Sequence, residues 1–269
     1  MYVAACLLVF FACYGLTIIT TSIGFHRGLA HRAVRIRPAF QWLLLATGNW
    51  ITGIDPKAWV VMHRLHHQHS DKPEDPHSPV NVGLLGILGE QLKSYNKTLD
   101  GLWRNDERYT AVARDLDFPL SWPIRTKTWF MPYVVHVAVM IAIGAGAGMW
   151  WLGIAYFTGM MSHAVQGGII NSFGHAIGGR NFDSDDNSRN NHPAAWILLG
   201  EGYQNNHHRF PASARFSYRW PEVDPGYAVC LTLEKLGILD IERRTLNPRM
   251  SRQPDVAAPA ELPATVAAT

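Results

Sequence analysis

Residues 1–25 and 128–179 contain no Asp, Glu, Lys or Arg, and nothing else in the chain restricts its fold so strongly. A bilayer core takes about 20 apolar residues per helix. The first stretch matches one span. The second matches a helical hairpin that turns at Gly144-Ala145-Gly146-Ala147-Gly148. Buried helices of a soluble protein seldom run two such lengths without a charge. A cleaved signal peptide is a poor fit, because no basic segment precedes the apolar run and the run leads directly into histidines. The expected class is an all-α integral membrane protein: one N-terminal span, a hairpin and interfacial amphipathic helices.

The overall hydrophobic content of 48% would not by itself set this chain apart from a soluble protein. The placement of charge is more telling. Arg27, Arg32, Arg35 and Arg37 follow the first apolar stretch, Arg180 and Arg189 follow the second, and the hairpin tip has neither Lys nor Arg. The positive-inside rule then puts these flanks on the cytoplasmic face, with a bacterial inner membrane as the expected location. Three spans in that orientation leave Met1 outside, so a further helix ahead of Met1 is expected. Cys6, Cys13 and Cys230 form no CxxC pair and read as packing residues.

Between the apolar stretches, residues 39–54 read as an interfacial or re-entrant helix, with Trp42 and Trp50 at headgroup level. Residues 59–69 read as a helix, 71–79 as a Pro- and Asp-rich loop, and 81–97 as a surface amphipathic helix. Residues 99–126 are polar with scattered aromatics. A loop over 180–191 follows the hairpin, then a last surface helix over 231–240. Residues 1–246 form the expected single domain, and the Ala- and Pro-rich residues 247–269 an expected disordered tail.

Thirteen histidines are present, most of them clustered beside the apolar stretches. Imidazole near lipid demands a partner, and neutral imidazole is the commonest metal ligand. On a helix, His63, His66 and His67 share one face, yet adjacent His66 and His67 diverge by about 100° and can serve two different ions. Gln204, His207 and His208 repeat that spacing. Asn171 and His175 lie one turn apart. His26 and His31 are five apart, which at α-helical spacing does not share a face, so the helix must end or bend between them. Eight imidazoles exceed one tetrahedral zinc. They suit two ions of higher coordination, and iron is the natural choice for oxygen chemistry. Soluble di-iron bundles use Glu and Glu-x-x-His pairs, and no such Glu appears on these faces.

His26-Arg-Gly-Leu-Ala-His31, His63-Arg-Leu-His66-His67 and Glu201-Gly-Tyr-Gln-Asn-Asn-His207-His208-Arg-Phe-Pro211 resemble the three histidine boxes of the membrane fatty-acid desaturases. The pattern is closest to the acyl-CoA, stearoyl-CoA Δ9-type branch. Asn171-Ser-Phe-Gly-His175 resembles a further ligand motif of that branch, and Tyr218-Arg-Trp220 a segment downstream of the third box. The likeness runs in order from about residue 20 to 245. It implies a non-haem di-iron site on the cytoplasmic membrane face. By position, His26, His31, His63, His66, His67, His175, His207 and His208 are implied iron ligands, with Asn171 acting through a water. The implied reaction reduces oxygen with electrons from a separate ferredoxin, rubredoxin or cytochrome b5 type donor. It removes two hydrogens from adjacent methylenes of an acyl chain, leaving a cis double bond. An unactivated C–H bond has no acidic proton, so side-chain acid–base chemistry cannot do this alone. An apolar tunnel must then fix one carbon pair near the metals.

Two positions depart from the branch pattern. Gln204 stands where many members carry a further histidine; its amide oxygen can ligate weakly or hold a water. Val61-Met62 stand where animal acyl-CoA enzymes carry Arg-Asp against the CoA group. The carrier is therefore open between acyl-CoA, a membrane lipid and an acyl carrier protein. No nucleic acid partner is expected. Of the other histidines, His69 reads as a helix-end residue, His77 in Asp75-Pro-His77 as one that orients ligands, His136 and His163 as interhelical hydrogen-bonding groups, and His192 as a loop residue. Trp59, Trp196 and Tyr203 either line the tunnel or pack. Asp183, Asp185 and Asp186 read as a solvated loop. The competing functions are a di-iron acyl hydroxylase or oxygenase, and a non-enzymatic membrane protein that binds a metal or haem.

Overall fold

The first apolar stretch folds as helix α1 (Tyr2–Ile19), continued without a break by a π-helical segment, Thr20–Ala30. The structure is a computed structural model that describes residues 1–244; the tail over 247–269 lies outside the described residues. Tyr2–Ala30 spans 29 residues with a mean hydropathy of 2.3. Among the described residues it is the one helix long and apolar enough to cross a membrane. Leu7, Leu8 and Phe11 stay exposed on its outer side. Its inner side meets the hairpin closely: a Cβ on Gly159 would come within 2.7 Å of Phe10 O. Small residues permit this approach where lipid supplies no hydrophobic drive between helices.

The π register corrects the expectation of a break between His26 and His31. Its bonds run from i+5 to i, and His31 N donates to His26 O at 3.1 Å. A five-residue repeat puts both imidazoles on one side, with ring centroids 4.9 Å apart. The helix ends only after Ala30. Where α gives way to π, hydroxyls bond nearby carbonyls: Thr20 Oγ1 donates to Leu16 O at 2.8 Å and Thr21 Oγ1 to Thr17 O at 3.1 Å. Such back-bonding accompanies distorted helices.

Helix α2 (Pro38–Thr52) forms close to the helix expected over 39–54 and ends at Gly53 in a left-handed conformation, φ 77°. Trp42 is exposed. Helix α3 (Pro56–His69) starts with Pro56 in its first turn, and Asp55 accepts from Ala58 N at 2.9 Å. That pairing of cap and proline is a strong start signal. Helix α4 (Pro79–Trp103) is longer than expected. It is broken near its start by Gly83 at φ 70°, ψ 166°, and exposes Leu84, Leu85, Leu88 and Leu92. Short helices α5 (Glu107–Val112) and α6 (Trp122–Arg125) fill the polar connection.

The hairpin rises as α7 (Met131–Ile141) with a π turn, Ala142–Gly146, and reverses at Gly148, φ 67°, within the expected glycine run. Its descending arm is interrupted: α8 (Trp150–Met160) gives way to α9 (His163–Ala176). Beyond it come α10 (His192–Ile197), α11 (Gln204–Arg209) and α12 (Pro225–Lys235).

The helix expected over 231–240 is corrected. α12 begins earlier and stops before Gly237, φ 71°. Leu239–Ile241 then forms strand β2, antiparallel to β1 (Val34–Ile36), with Val34 opposite Ile241. Leu239 and Ile241 are buried and Asp240 is not, a two-residue period that suits a strand. The protein is mostly helical, not all-α, and this ribbon ties the C-terminal segment to the chain just after His31. The π segment, α3, α9 and α11 converge at the same end. Phe25, Val60, Val61 and Leu65 are packed behind them.

Candidate metal centre

Five imidazoles from three elements meet at the end of the π segment. One nitrogen each from His26, His31, His63, His67 and His207 lies within 4.8 Å of all the others. His26 Nε2 faces His207 Nε2 at 3.0 Å, His31 Nε2 faces His63 Nε2 at 2.7 Å, and His207 Nε2 faces His67 Nε2 at 3.0 Å. A second group, His66, His175 and His208, meets the same criterion. The groups adjoin: His67 and His208 have ring centroids 4.5 Å apart. As the α-helical spacing requires, His66 joins one group and His67 the other.

Carboxylates fix which nitrogen four of the eight rings present. Glu201 Oε2 lies 2.7 Å from His26 Nδ1, and Asp75 holds His66 Nδ1 at 2.9 Å. Asp71 Oδ2 holds His175 Nδ1 at 2.9 Å, and Asp186 Oδ2 holds His208 Nδ1 at 2.6 Å. A carboxylate behind Nδ1 sets the tautomer, aims the Nε2 lone pair inward and raises its basicity. His175 Nε2 and His208 Nε2 are buried with no hydrogen-bond partner among the described residues. Orphaned, converging imidazole nitrogens backed by carboxylates are what a metal ion requires, so the residues present fit two ions.

The electrostatics agree. Burial, then neighbouring imidazoles, holds His31, His63, His67 and His207 well below the ordinary imidazole range. Burial outweighs Asp186 at His208, which is lowered to about 4. Neutral imidazole is the ligating form. Burial would raise the Asp75 and Asp186 carboxyls, but His66 and His208 respectively outweigh it and keep both charged.

The chain matches the family model described as fatty acid desaturase over residues 2–228. It belongs to the fatty acid desaturase family. Among curated relatives, it is 34% identical over 247 residues to a hex-5-enoyl-[acyl-carrier protein] acetylenase of Moorena producens (strain JHB), covering 84% of this chain and 73% of the relative. It is 30% identical over 241 residues to the Delta-9 desaturase-like 4 protein of Arabidopsis thaliana, covering 84% and 72%. A Delta-9 acyl-lipid desaturase 2 of the same plant is 28% identical over 230 residues, covering 81% and 68%. The protein is thus a membrane-associated fatty acyl desaturase, an oxidoreductase of lipid metabolism.

A cavity of about 50 Å³ adjoins both histidine groups of the desaturase. His26, His63 and His66 form its metal-side wall; Ile18, Trp59, Met62 and Ile170 supply apolar surface. Asn171 and Gln204 also line it. Asn171 Nδ2 donates to Gln91 Oε1 at 2.9 Å, and Gln204 Nε2 donates to Glu201 O at 2.8 Å. Gln204 packs on bare backbone of α9, where a Cβ on Gly174 would come within 2.5 Å of its Cγ. All ten residues singled out in the sequence therefore lie around one site, eight in the two imidazole groups and two on the adjoining wall.

Other residues divide differently. His77 stacks on His66 with centroids 4.7 Å apart and lines the cavity. His136 bridges helices as expected, with Nδ1 2.6 Å from Tyr156 Oη and Nε2 2.7 Å from Trp50 O. His163 does not: its Nδ1 has no partner among the described residues, and the ring faces the cavity. His192 opens α10 instead of lying in a loop. Trp59 stacks on His63 at 5.0 Å and lines the cavity, Tyr203 is packed inside, and Trp196 is exposed.

Sequence reasoning missed the carboxylates. Asp186 and Glu201 were visible only as a loop acid and a motif residue, and Asp71 carried no signal. Asp75-Pro-His77 was the one usable hint. Arg27 is an interior cation and not an exposed flank of the first apolar stretch. It is fully buried, paired with Glu201 Oε1 at 2.7 Å and Asp224 Oδ1 at 3.3 Å, and lies over the Phe216 ring at 3.8 Å.

Proposed function

We propose that this desaturase places a cis double bond at Δ9 of a saturated fatty acyl chain, using two non-haem irons. One ion would be held by His26, His31, His63, His67 and His207. The other would be held by His66, His175 and His208, with Asn171 acting through a water and Gln204 in place of a further imidazole. The observation that carries this reading is a five-imidazole group beside a three-imidazole group, with one cavity opening onto both. When bound, the irons would supply oxygen activation strong enough to abstract hydrogen from an unactivated methylene.

The balance closes: the chain loses two hydrogens, a separate reduced donor gives two electrons, solvent gives two protons, and oxygen leaves as two waters. The protein's own groups position the reaction. Trp59, Met62 and Ile170 hold methylenes against the imidazole wall and exclude water. Glu201, Asp75, Asp71 and Asp186 hold the ligand rings in place. The Δ9 position is supported by likeness to Delta-9 desaturase-like and Delta-9 acyl-lipid desaturase relatives. The carrier is an acyl-CoA, a membrane lipid or an acyl carrier protein, and the donor a ferredoxin, rubredoxin or cytochrome b5 type protein.

The same reading places the protein in a bacterial inner membrane. Tyr2–Ala30 and the two arms of the hairpin cross it, α2 and α4 lie along its surface, and the histidine cap faces the cytoplasm. Residues 1–246 act as one domain. The test is expression in a host lacking unsaturated fatty acids, with mass-spectrometric mapping of its lipids and iron counting on the purified protein. Two irons per chain and a double bond at one position, both lost in His66→Ala, are expected. A hydroxylated product, or a single zinc or haem, overturns the reading.

A further inference from the structure

The cavity has one wall that a plain alkyl chain cannot use. His163, Gln166, Gly167, Ile170 and Asn171 recur at three- and four-residue intervals, so a single face of α9 lines it. His163 is 7% exposed and Gln166 2%. Neither His163 Nδ1 nor Gln166 Oε1 has a hydrogen-bond partner among the described residues. Gln166 Nε2 donates to Ser162 Oγ at 2.8 Å, which anchors the amide. The hydroxyls across the cavity are already engaged, Thr21 with Thr17 O and Ser22 with Glu201. Buried polar atoms are nearly always paired in folded proteins. An unpaired histidine nitrogen and an unpaired glutamine oxygen one turn apart, on one cavity-lining face of α9, therefore point to a polar ligand atom.

Their chemistry narrows that atom. With its proton on Nδ1, the imidazole donates and the amide oxygen accepts. A hydroxyl both accepts and donates, so one hydroxyl satisfies both; a carbonyl or ether has no proton for Gln166, and a methylene offers nothing. Position narrows it further. At about 1.5 Å rise per residue, Gln166 and His163 lie roughly 8 Å and 12 Å along α9 from Asn171, away from the histidine groups. The same end of the cavity is bounded by Ile18, two helical turns before His26. The hydrophilic carrier stays at the water side, so this arm receives the far portion of the chain.

We propose that the desaturase acts on acyl chains bearing a hydroxyl distal to the reacting carbons, bound between His163 and Gln166. The hydroxyl is a recognition group and is unchanged by the reaction. The proposal rests on the desaturase reading above, with the reacting carbons beside the two histidine groups.

The test uses the iron-loaded full chain with a reductant and a series of hexadecanoyl thioesters, one unsubstituted and the others hydroxylated at successive distal carbons. Competition assays read by mass spectrometry give relative kcat/KM, and ligand-induced shifts in Tm give binding without turnover. One hydroxyl position should be favoured over the plain chain by at least about tenfold in both measurements. His163→Leu with Gln166→Leu should reverse the order, so that the plain chain is preferred. His163→Gln alone, which keeps a polar group, should retain part of the preference and controls for misfolding. Equal handling of all chains by the unmodified protein overturns the proposal, as does a preference that survives the double leucine variant. If no chain is turned over, the failure belongs to the desaturase reading, and the binding measurements still decide the hydroxyl.

Discussion

Glu201 joins His26 to the interior of the protein: its Oε2 lies 2.7 Å from His26 Nδ1, while Oε1 accepts from Arg27. Burial would raise this carboxyl, but His26 and Arg27 outweigh it and hold it below the usual carboxylate range. The residue that aims one ligand is thus locked by a buried ion pair. Glu201→Gln should weaken iron binding at the five-imidazole group by about 10- to 100-fold. The three-imidazole group should be spared. Iron titration with a competing chelator should then show one tight and one weak ion; two unchanged ions would refute the assignment.

Asp75→Asn is the complementary case. Asp75 accepts from the backbone of Asp71 and His77 as well as fixing His66 Nδ1. The variant should lower affinity at the His66, His175 and His208 group by a similar 10- to 100-fold, leaving the other group tight. A loss confined to the five-imidazole group would count against the grouping.

Arg27→Met should destabilise the fold by about 3–5 kcal/mol, because Glu201 and Asp224 are left buried without their shared cation. Denaturant unfolding in detergent reads this directly. Asp224→Asn added to Arg27→Met should recover part of the loss, since it removes one of the stranded charges. A change within about 0.5 kcal/mol, the range of ordinary surface substitutions, would contradict the structure.

Removing the metal should expose a pH dependence. Folding holds His31, His63, His67 and His207 below their ordinary values, so the unfolded chain takes up protons first. The chelated protein should keep its stability above about pH 6.5 and lose it as pH falls below that value. His66 works in the opposite sense, because Asp75 outweighs burial and raises it. Asp75 and Asp186, held low, add their losses only below about pH 4. Tm measured in EDTA from pH 8 to pH 5 should therefore fall on the acid side. A flat or rising profile would show that these rings do not resist protonation.

Gln204→His should tighten the second ion, since an imidazole would replace the amide that the proposed function assigns to it. The expected reading is slower iron loss to chelator at that site alone. Unchanged or faster loss would mean that the packing of Gln204 on Gly174 leaves no room for a ligating ring.

The apolar helices, the hairpin turn and the gathering of ten polar residues around one place were legible because they depend on composition and on spacing along single helices. His66 and His67 separate as 3.6 residues per turn requires, and the turn at Gly148 follows from its glycine run. What could not be read was pairing between distant segments. Nothing local links Asp186 to His208, Asp71 to His175 or Glu201 to His26. Residues 239–241 look helical when appended to α12 and become a strand only because Val34–Ile36 lies alongside. Arg27 looks like a membrane-flanking cation until Glu201 and Asp224 enclose it.

The π segment has a consequence for how such a chain can change. His26 and His31 face the same way only while Thr20–Ala30 carries one more residue per turn than an α-helix needs. Relaxed to an α-helix at its present length, the segment would turn His31 about 140° away from His26; losing one residue between them would instead set the two four apart, on one face of the easier helix. Selection for a sturdier helix and selection for chemistry pull against each other at this length, and a descendant shortened by one residue would escape the conflict by keeping both imidazoles on one face.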